Sequence, residues 1–314
     1  MIHFNGGVLS WDAYWLTMND QVEIYVKRWK NTEPPKAIIQ IAHGMAEHIE
    51  RYDDFANYFV SHGFHVYGND HRGHGRTGEK QGLLGYFSQS DGFHKVSEDL
   101  HSLTKHIKEA YPQTPIFLFG HSMGSFLARK YMQAYSHDIA GVILCGTGYF
   151  PRITSSSAKL LASILPAKKE SHLMNKLAFG SYNKKIPDHG NGFEWLSQDK
   201  QEVQKYTDDP FCGFVPTARF FYDLMDGLGH IHRKRYNQMI RKDLPLLIIS
   251  GDADPVGGYG KGIWKTAKLY HQLGLEEITT MLITSGRHEI LNEINKQETY
   301  QAIKSWLNGY DAKS

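Results

Sequence analysis

Cysteine is scarce: Cys145 and Cys212 are the only two in 314 residues. A disulfide between them is compatible with the sequence but nothing in it supports one, and so low a count fits a reducing, cytoplasmic compartment. Cys145 ends the apolar run Val142-Ile143-Leu144 and reads as core. Long hydrophobic runs are missing too, and none approaches the roughly 20 residues that cross a bilayer. The stretch 1–10 has no basic segment followed by an apolar one, so no secretory leader is expected. Excess charge is absent: 35 Lys and Arg against 33 Asp and Glu leave a formal net charge of +2, which argues for no nucleic-acid partner. There is no internal repeat and no low-complexity segment. The remaining composition, 41% hydrophobic and 22% charged, is that of a soluble globular chain. Its length suits one large α/β domain with an insertion, or two small domains. Histidine is plentiful at 18, mostly scattered singly among polar residues, which predicts solvated surface positions.

What is present is a rhythm of strands and helices. Residues 8–16 and 22–29 are rich in aromatic and β-branched side chains and flank a polar turn, which predicts a hairpin ended by Pro34-Pro35. Residues 37–41 read as a buried strand, followed by an amphipathic helix over about 52–61 that stops at Gly63. Residues 64–67 give the next strand, which runs into a polar glycine loop at 69–76. A long helix over 92–110, strands at 116–119 and 139–145, and a helix between those strands complete a first half. The rhythm stops after Gly148 and resumes at 244–250, with a helix at 261–274, a strand at 278–284 and a closing helix at 296–307. Apolar strands alternating with helices predict a mostly parallel sheet covered on both faces. The expected divisions are a core over 1–149, an insertion without clear strands over 150–216, and a second core part over 217–314.

Chemistry is predicted where strands end. Gly120-His121-Ser122-Met123-Gly124 joins an apolar strand to a helix, the context of a nucleophile elbow. A sharp turn there lifts the Ser122 hydroxyl clear of the sheet, and the helix N-terminus beside it favours developing negative charge. Serine needs a base, and the base needs an orienting acid, in the chain order Ser, acid, His on such a sheet. Asp252 and Asp254 follow the 244–250 strand, and His288 follows the last one. The residues alone leave the choice between the two aspartates open, since a turn carboxylate also caps local amides. The Met123 amide and one from the loop after the 37–41 strand, Met45 for preference, are the candidate oxyanion donors. His43 is a candidate to shape that loop.

Taken together, His43-Gly44-Met45-Ala46-Glu47-His48 with Arg51-Tyr52, then Asp70-His71-Arg72-Gly73-His74-Gly75, then Gly120-His121-Ser122-Met123-Gly124 closely resemble the monoacylglycerol lipase and lysophospholipase group of α/β-hydrolases, often labelled serine aminopeptidase-like. The resemblance covers about 20–145 and 205–305 and is weak in the insertion. It implies an α/β-hydrolase fold with a mostly parallel eight-stranded sheet and a mainly helical inserted lid. It implies Ser122 as nucleophile, Asp254 as acid, His288 as base, and Met45 and Met123 as oxyanion donors. Around them it implies supporting roles for His43, Gly44, Glu47, Arg51 and His121. Arg287 departs from the family pattern just before the histidine, on what is expected to be the leaving-group side.

The resemblance implies cleavage of lipid-like or small carboxylic esters through an acyl-enzyme, without a cofactor. Phe150, Leu161, Ile164, Phe179 and Phe214 are candidate substrate-pocket residues, with Phe211 and Tyr222 further ones. Lys159, Lys168 and Lys169 beside the apolar stretch 160–165 suit transient contact of the lid with a membrane surface. One rival is an aminopeptidase, which needs an amine-binding carboxylate such as Glu170, Asp188, Glu194 or Asp226. Another is a non-catalytic binding protein, which a missing member of the Ser, Asp and His set would mark. Metal chemistry at His43, His48, His71 and His74 has tolerable spacing, but no Cys or His-Glu-x-x-His motif accompanies it, so no metal is expected.

Overall fold

A computed structural model describes residues 3–4, 7–186 and 190–311. A short antiparallel pair, β1 (His3–Phe4) and β2 (Gly7–Val8), precedes the main sheet. The main strands are β3 (Ser10–Thr17), β4 (Glu23–Lys30), β5 (Ala37–Ala42), β6 (Phe64–Asn69), β7 (Ile116–His121), β8 (Gly141–Cys145), β9 (Leu246–Gly251) and β10 (Ile278–Ile283). They form one eight-stranded sheet in the order β10-β9-β8-β7-β5-β6-β4-β3. At one edge β4 pairs antiparallel with both β3 and β6, and the remaining pairings of this sheet are parallel.

Central strands such as β5, β7 and β9 are buried at every residue, as runs like Ile38-Ile39-Gln40-Ile41 require. The one polar side chain in that run is satisfied: Gln40 Nε2 donates to the Leu100 carbonyl at 2.8 Å, and the Thr104 hydroxyl donates to Gln40 Oε1 at 2.7 Å. One face is covered by α3 (Gly92–Ala110), α4 (Met123–Tyr135) and α8 (Ala218–Ile231). The other is covered by α1 (Asp53–Val60) and α11 (Lys296–Asp311). The carboxyl ends of β5, β7, β9 and β10 therefore lead into the loops that carry His43, Ser122, Asp254 and His288.

The structure departs from the sequence reading in three places. The polar glycine stretch after β6 is a loop only to His74; Gly75–Gln81 forms α2. Ala218–Ile231 is a helix that the sequence reading leaves unassigned, although Phe220, Phe221, Leu224, Leu228 and Ile231 keep helical spacing and are buried. His65 also differs: it is buried on β6 rather than solvated, whereas the other buried histidines, His43, His48, His71, His74, His121 and His288, sit in the motifs already singled out.

Between β8 and α8 the chain leaves the sheet. It forms α5 (Arg152–Ser163), α6 (His172–Phe179) and α7 (Lys200–Asp208), and among the described residues it touches strand geometry only at the Glu170–Thr217 bridge. The segment lies against the core where α5 meets α8. The short α9 (Lys234–Asn237) and α10 (Lys261–Gln272) complete the helices among the described residues.

Candidate active site

Ser122 stands between β7 and α4 with φ 51° and ψ −118°. A non-glycine residue at positive φ is strained, so the surroundings must hold it there. They do so by close approach. A Cβ on Gly120 would collide with the Gly124 carbonyl, and one on Gly124 with the carbonyls of Ala42 and His43. The Ser122 amide donates to the Cys145 carbonyl at 2.9 Å, and the Ser125 hydroxyl donates to the Ser122 carbonyl at 2.6 Å.

The Ser122 hydroxyl lies 2.8 Å from His288 Nε2. On the far side of the ring, Nδ1 lies 3.0 Å and 3.1 Å from the two Asp254 oxygens. An Nδ1–H that donates to this carboxylate leaves Nε2 free to accept the serine proton. Asp254 is fully buried and also accepts from the Ser250 hydroxyl at 3.0 Å and the Val256 amide at 2.8 Å. Asp252 is exposed on the same turn and stands apart from the ring. The insertion reaches this loop: the His288 and Glu289 amides donate to the Trp195 and Leu196 carbonyls at 3.3 Å and 2.7 Å. The rings of Trp195 and His121 flank the His288 ring, each with centroids 5.0 Å away.

The loop after β5 is held by charge. Glu47 Oε1 accepts from the Gly44 amide, from the Tyr52 hydroxyl at 3.0 Å and from His121 Nδ1 at 3.1 Å. Arg51 donates to Glu47 Oε2 at 2.7 Å and, in a fork, to both Glu289 oxygens at 2.7 Å. Burial alone would raise the Glu47 pKa, but His121 and Arg51 outweigh it and hold the carboxyl well below its usual range. Burial likewise works against charge on His121, and Glu47 overcomes it so that the His121 pKa is raised. Glu289 is the member of this network that the sequence reading missed; a residue adjacent to a candidate base gives no signal of an arginine partner 238 positions away.

His43 Nδ1 lies 2.7 Å from the Gly44 carbonyl, and its Nε2 accepts the His71 amide at 3.0 Å, so the ring carries its proton on Nδ1. Burial pushes His43 well below the ordinary histidine range, His71 to about 3 and His74 to about 4. The three rings meet as neutral imidazoles, with centroids 4.0 Å apart for His43 and His71. Met123 opens α4, where an amide has no intrahelical acceptor. The Met45 and Met123 amides have no acceptor among the described residues.

Ser122, His288, Met45 and Met123 all border a cavity of about 730 Å³. Phe150, Leu161, Phe179 and Phe214 line it as the sequence reading expects. Ile164 does not: it caps the C-terminus of α5, past its last turn, and is 75% exposed. Phe211 and Tyr222 are also absent from the wall; Phe211 sits against the His48 ring and Tyr222 under Lys159 and Arg219. Phe221, Leu224 and Leu228 of α8 take their place, together with Trp195 and Tyr206 of the insertion. Arg287 turns away from the cavity and donates to the Glu194 and Ser197 carbonyls at 2.7 Å and 2.9 Å, so it fastens the insertion rather than the leaving-group side.

Of the candidate amine-binding carboxylates, Glu170, Glu194 and Asp226 do not line the cavity, and Asp188 lies outside the described residues. Asp226 is paired with Lys159, and Glu194 accepts three backbone amides from Gly190, Asn191 and Gly192. The carboxylates on the wall, Glu47 and Glu289, are committed to Arg51.

The family described as serine aminopeptidase, S33, matches residues 33–295. A monoacylglycerol lipase of Mycolicibacterium smegmatis is 27% identical over 289 residues, which span 91% of this chain and 93% of that one. The human monoglyceride lipase is 26% identical over 91% of this chain and 86% of its own. Among solved structures, a thermostable carboxyl esterase from Bacillus coagulans in complex with glycerol is 30% identical, with a TM-score of 0.88 over 96% of this chain and 99% of that one. A soluble variant of the Saccharomyces cerevisiae monoglyceride lipase, bound to a substrate analogue, shares the fold at 19% identity, with a TM-score of 0.74 over 95% of each chain.

Proposed function

The chain belongs to the serine aminopeptidase S33 family of α/β-hydrolases, and from that premise we propose that it hydrolyses lipid-like carboxylic monoesters through an acyl-enzyme on Ser122. The observation that carries this reading is the unbroken hydrogen-bonded line from Ser122 through His288 to Asp254 at the edge of a largely apolar cavity. In this mechanism His288 Nε2 takes the hydroxyl proton as Ser122 Oγ attacks the ester carbonyl. Asp254 keeps the ring in the tautomer that can accept, and stabilises the imidazolium that forms. The Met45 and Met123 amides receive the oxyanion, and one such donor is worth about 3–4 kcal/mol in comparable sites. His288 then protonates the departing alcohol oxygen. A water, deprotonated by the same nitrogen, attacks the acyl carbon and releases the acid, restoring Ser122.

Ester hydrolysis is favoured over peptide hydrolysis, because the cavity wall offers aromatic and aliphatic side chains and its carboxylates are occupied by Arg51. We read 150–216 as a lid over the acyl pocket, with the hydrolase core divided into 1–149 and 217–314 on either side. The exposed Ile153, Leu160, Ile164, Leu173 and Leu177 on or next to α5 and α6 support its brief contact with a lipid surface. No helix among the described residues is long and apolar enough to cross a membrane.

The test is turnover of a medium-chain monoacylglycerol, a lysophosphatidylcholine and an aminoacyl-arylamide by the wild type and Ser122→Ala. Ester cleavage that disappears in the variant, with little arylamide cleavage, supports the reading. Preferred arylamide cleavage overturns it in favour of a peptidase.

A further inference from the structure

A second cluster of reactive side chains lies where the loop after β5 meets the insertion, outside the cavity wall. His48 Nε2 is 2.8 Å from Asp209 Oδ2. The ligand-competent atoms of His48, Asp209 and Cys212 all fall within 4.8 Å of one another. Local turn geometry brings the two insertion residues together: Asp209 Oδ1 accepts the Phe211 amide at 2.8 Å, and the Cys212 amide donates to the Asp209 carbonyl at 3.0 Å. His48 and Cys212 are buried, whereas Asp209 is partly exposed and gives an ion a way in. The Phe211 ring packs edge-on to His48 and screens it.

We propose that His48, Asp209 and Cys212 form a binding site for a thiophilic divalent cation, zinc foremost, which ties the insertion to the loop that carries Met45. Imidazole, carboxylate and thiolate are the ligand types that zinc takes, and a thiolate argues against magnesium or calcium. Zinc–ligand bonds of about 2.0–2.3 Å set ligand atoms roughly 3.2–3.8 Å apart in a tetrahedral site, so the three must adjust by about an ångström. Water fills the fourth position. Binding replaces the Cys212 S–H bond by an S–Zn bond and releases that proton to solvent. The His48 ring binds through the Nε2 lone pair with its proton on Nδ1, and Asp209 exchanges the His48 hydrogen bond for the metal. One thiolate and one carboxylate balance the ion's charge. The nearby Arg51 does not compete, because Glu47 and Glu289 engage it.

The consequence for turnover rests on the proposed role of Met45 as an oxyanion donor. Ala46, at φ 51°, offers its carbonyl to the Gly213 amide at 3.0 Å and to the Tyr206 hydroxyl at 2.9 Å. A metal at His48, Asp209 and Cys212 locks these two insertion contacts to the peptide beside Met45. Any step that needs the insertion to move is then slowed.

Titrating the chelator-treated protein with cobalt(II) tests the site apart from activity. A single equivalent should bind with a near-ultraviolet thiolate-to-cobalt charge-transfer band, which zinc abolishes by displacement. The band should be lost in Cys212→Ala and in Cys212→Ser, either of which serves if the other folds poorly. Zinc should raise the melting temperature of the wild type and leave both variants unmoved. Zinc should also lower ester turnover several-fold, reversibly with chelator, in the wild type and much less in the Cys212 variants. Absence of the band in the wild type, or the same band in a Cys212 variant, overturns the site. Zinc inhibition undiminished in those variants overturns its coupling to the Met45 loop. A protein without esterase activity would leave the cobalt result standing by itself.

Discussion

The sheet and the insertion solve different problems with the same kind of side chain. In β5, β7 and β9 every residue is buried, and the apolar side chains serve only to fix the backbone. In α5 and its last turn, Leu161 faces the cavity while Ile153, Leu160 and Ile164 face outward. The sheet thus holds Ser122, Asp254 and His288 at strand ends, in positions that hydrogen bonds over-determine. The insertion contributes most of its side chains as surface, to the cavity or to solvent, and little packing constrains its outer side. Changes at the strand ends should therefore destroy turnover whatever the ester, and changes in the insertion should alter which ester is chosen.

Ser122→Ala gives the largest effect. On the proposed mechanism it should lower kcat by about 10⁴-fold or more, the loss seen when a serine hydrolase's nucleophile is removed, with melting temperature nearly unchanged. Asp254→Asn should cost about 10⁴-fold by favouring the wrong His288 tautomer, whereas Asp252→Asn should leave the rate near that of the wild type. Equal losses from the two would break the assignment of the acid.

Arg51→Ala should act first on stability. It strands Glu47 and Glu289, both buried, and such losses run to about 3–5 kcal/mol, readable as a lower urea midpoint. A midpoint within experimental scatter of the wild type would contradict the network's role as a brace.

The buried histidines set a pH dependence. Burial depresses His43, His71 and His74, so between about pH 6.5 and 4 the unfolded chain binds more protons at these rings than the folded chain does. Their contribution is complete above about pH 6.5 and is lost as pH falls through that window. His121, whose pKa is raised, and Asp70, which burial raises to about 6, have the opposite sign. From about pH 6.5 to 5 the depressed rings, which also include His65, His230 and His232, outnumber Asp70 and Asp223, the latter likewise raised to about 6 by burial, so the unfolding midpoint should fall. His71→Gln should flatten that slope even if it lowers the midpoint throughout. An unchanged slope would refute the assignment.

The smallest effects belong to the insertion. Phe221→Ala and Leu161→Ala should shift the preferred acyl length while short soluble esters are still cleaved. Ile164→Ser should leave soluble-ester turnover unaltered and lower turnover only on vesicle-borne substrate. Loss of soluble-ester activity in Ile164→Ser would place that residue in the pocket after all.

The same contrast governs how much was legible in the chain. Strand runs such as Ile116-Phe117-Leu118-Phe119 read correctly because two-sided burial leaves a continuous apolar stretch. The sharp turn at Ser122 was legible because the flanking Gly120 and Gly124 answer a local steric need. Asp252 and Asp254 could not be separated by their own spacing, since only the fold decides which faces His288. Ile164 misled because an apolar residue just past a helix gives no sign of which side of the insertion it takes. Glu289 was silent because its meaning lies in Arg51, far away in sequence. Helix α8 was legible in principle, through Phe220, Leu224, Leu228 and Ile231, but was overlooked beside the glycines at 227 and 229.

The most direct measurement is peptide mass spectrometry of the protein after reaction with an alkyl fluorophosphonate, with monoacylglycerol turnover followed in the same sample. The account predicts one adduct, on Ser122, forming in step with loss of turnover and absent from Ser122→Ala and strongly slowed in His288→Gln. Full turnover with Ser122 modified, or loss of turnover with the adduct on another residue, would contradict it.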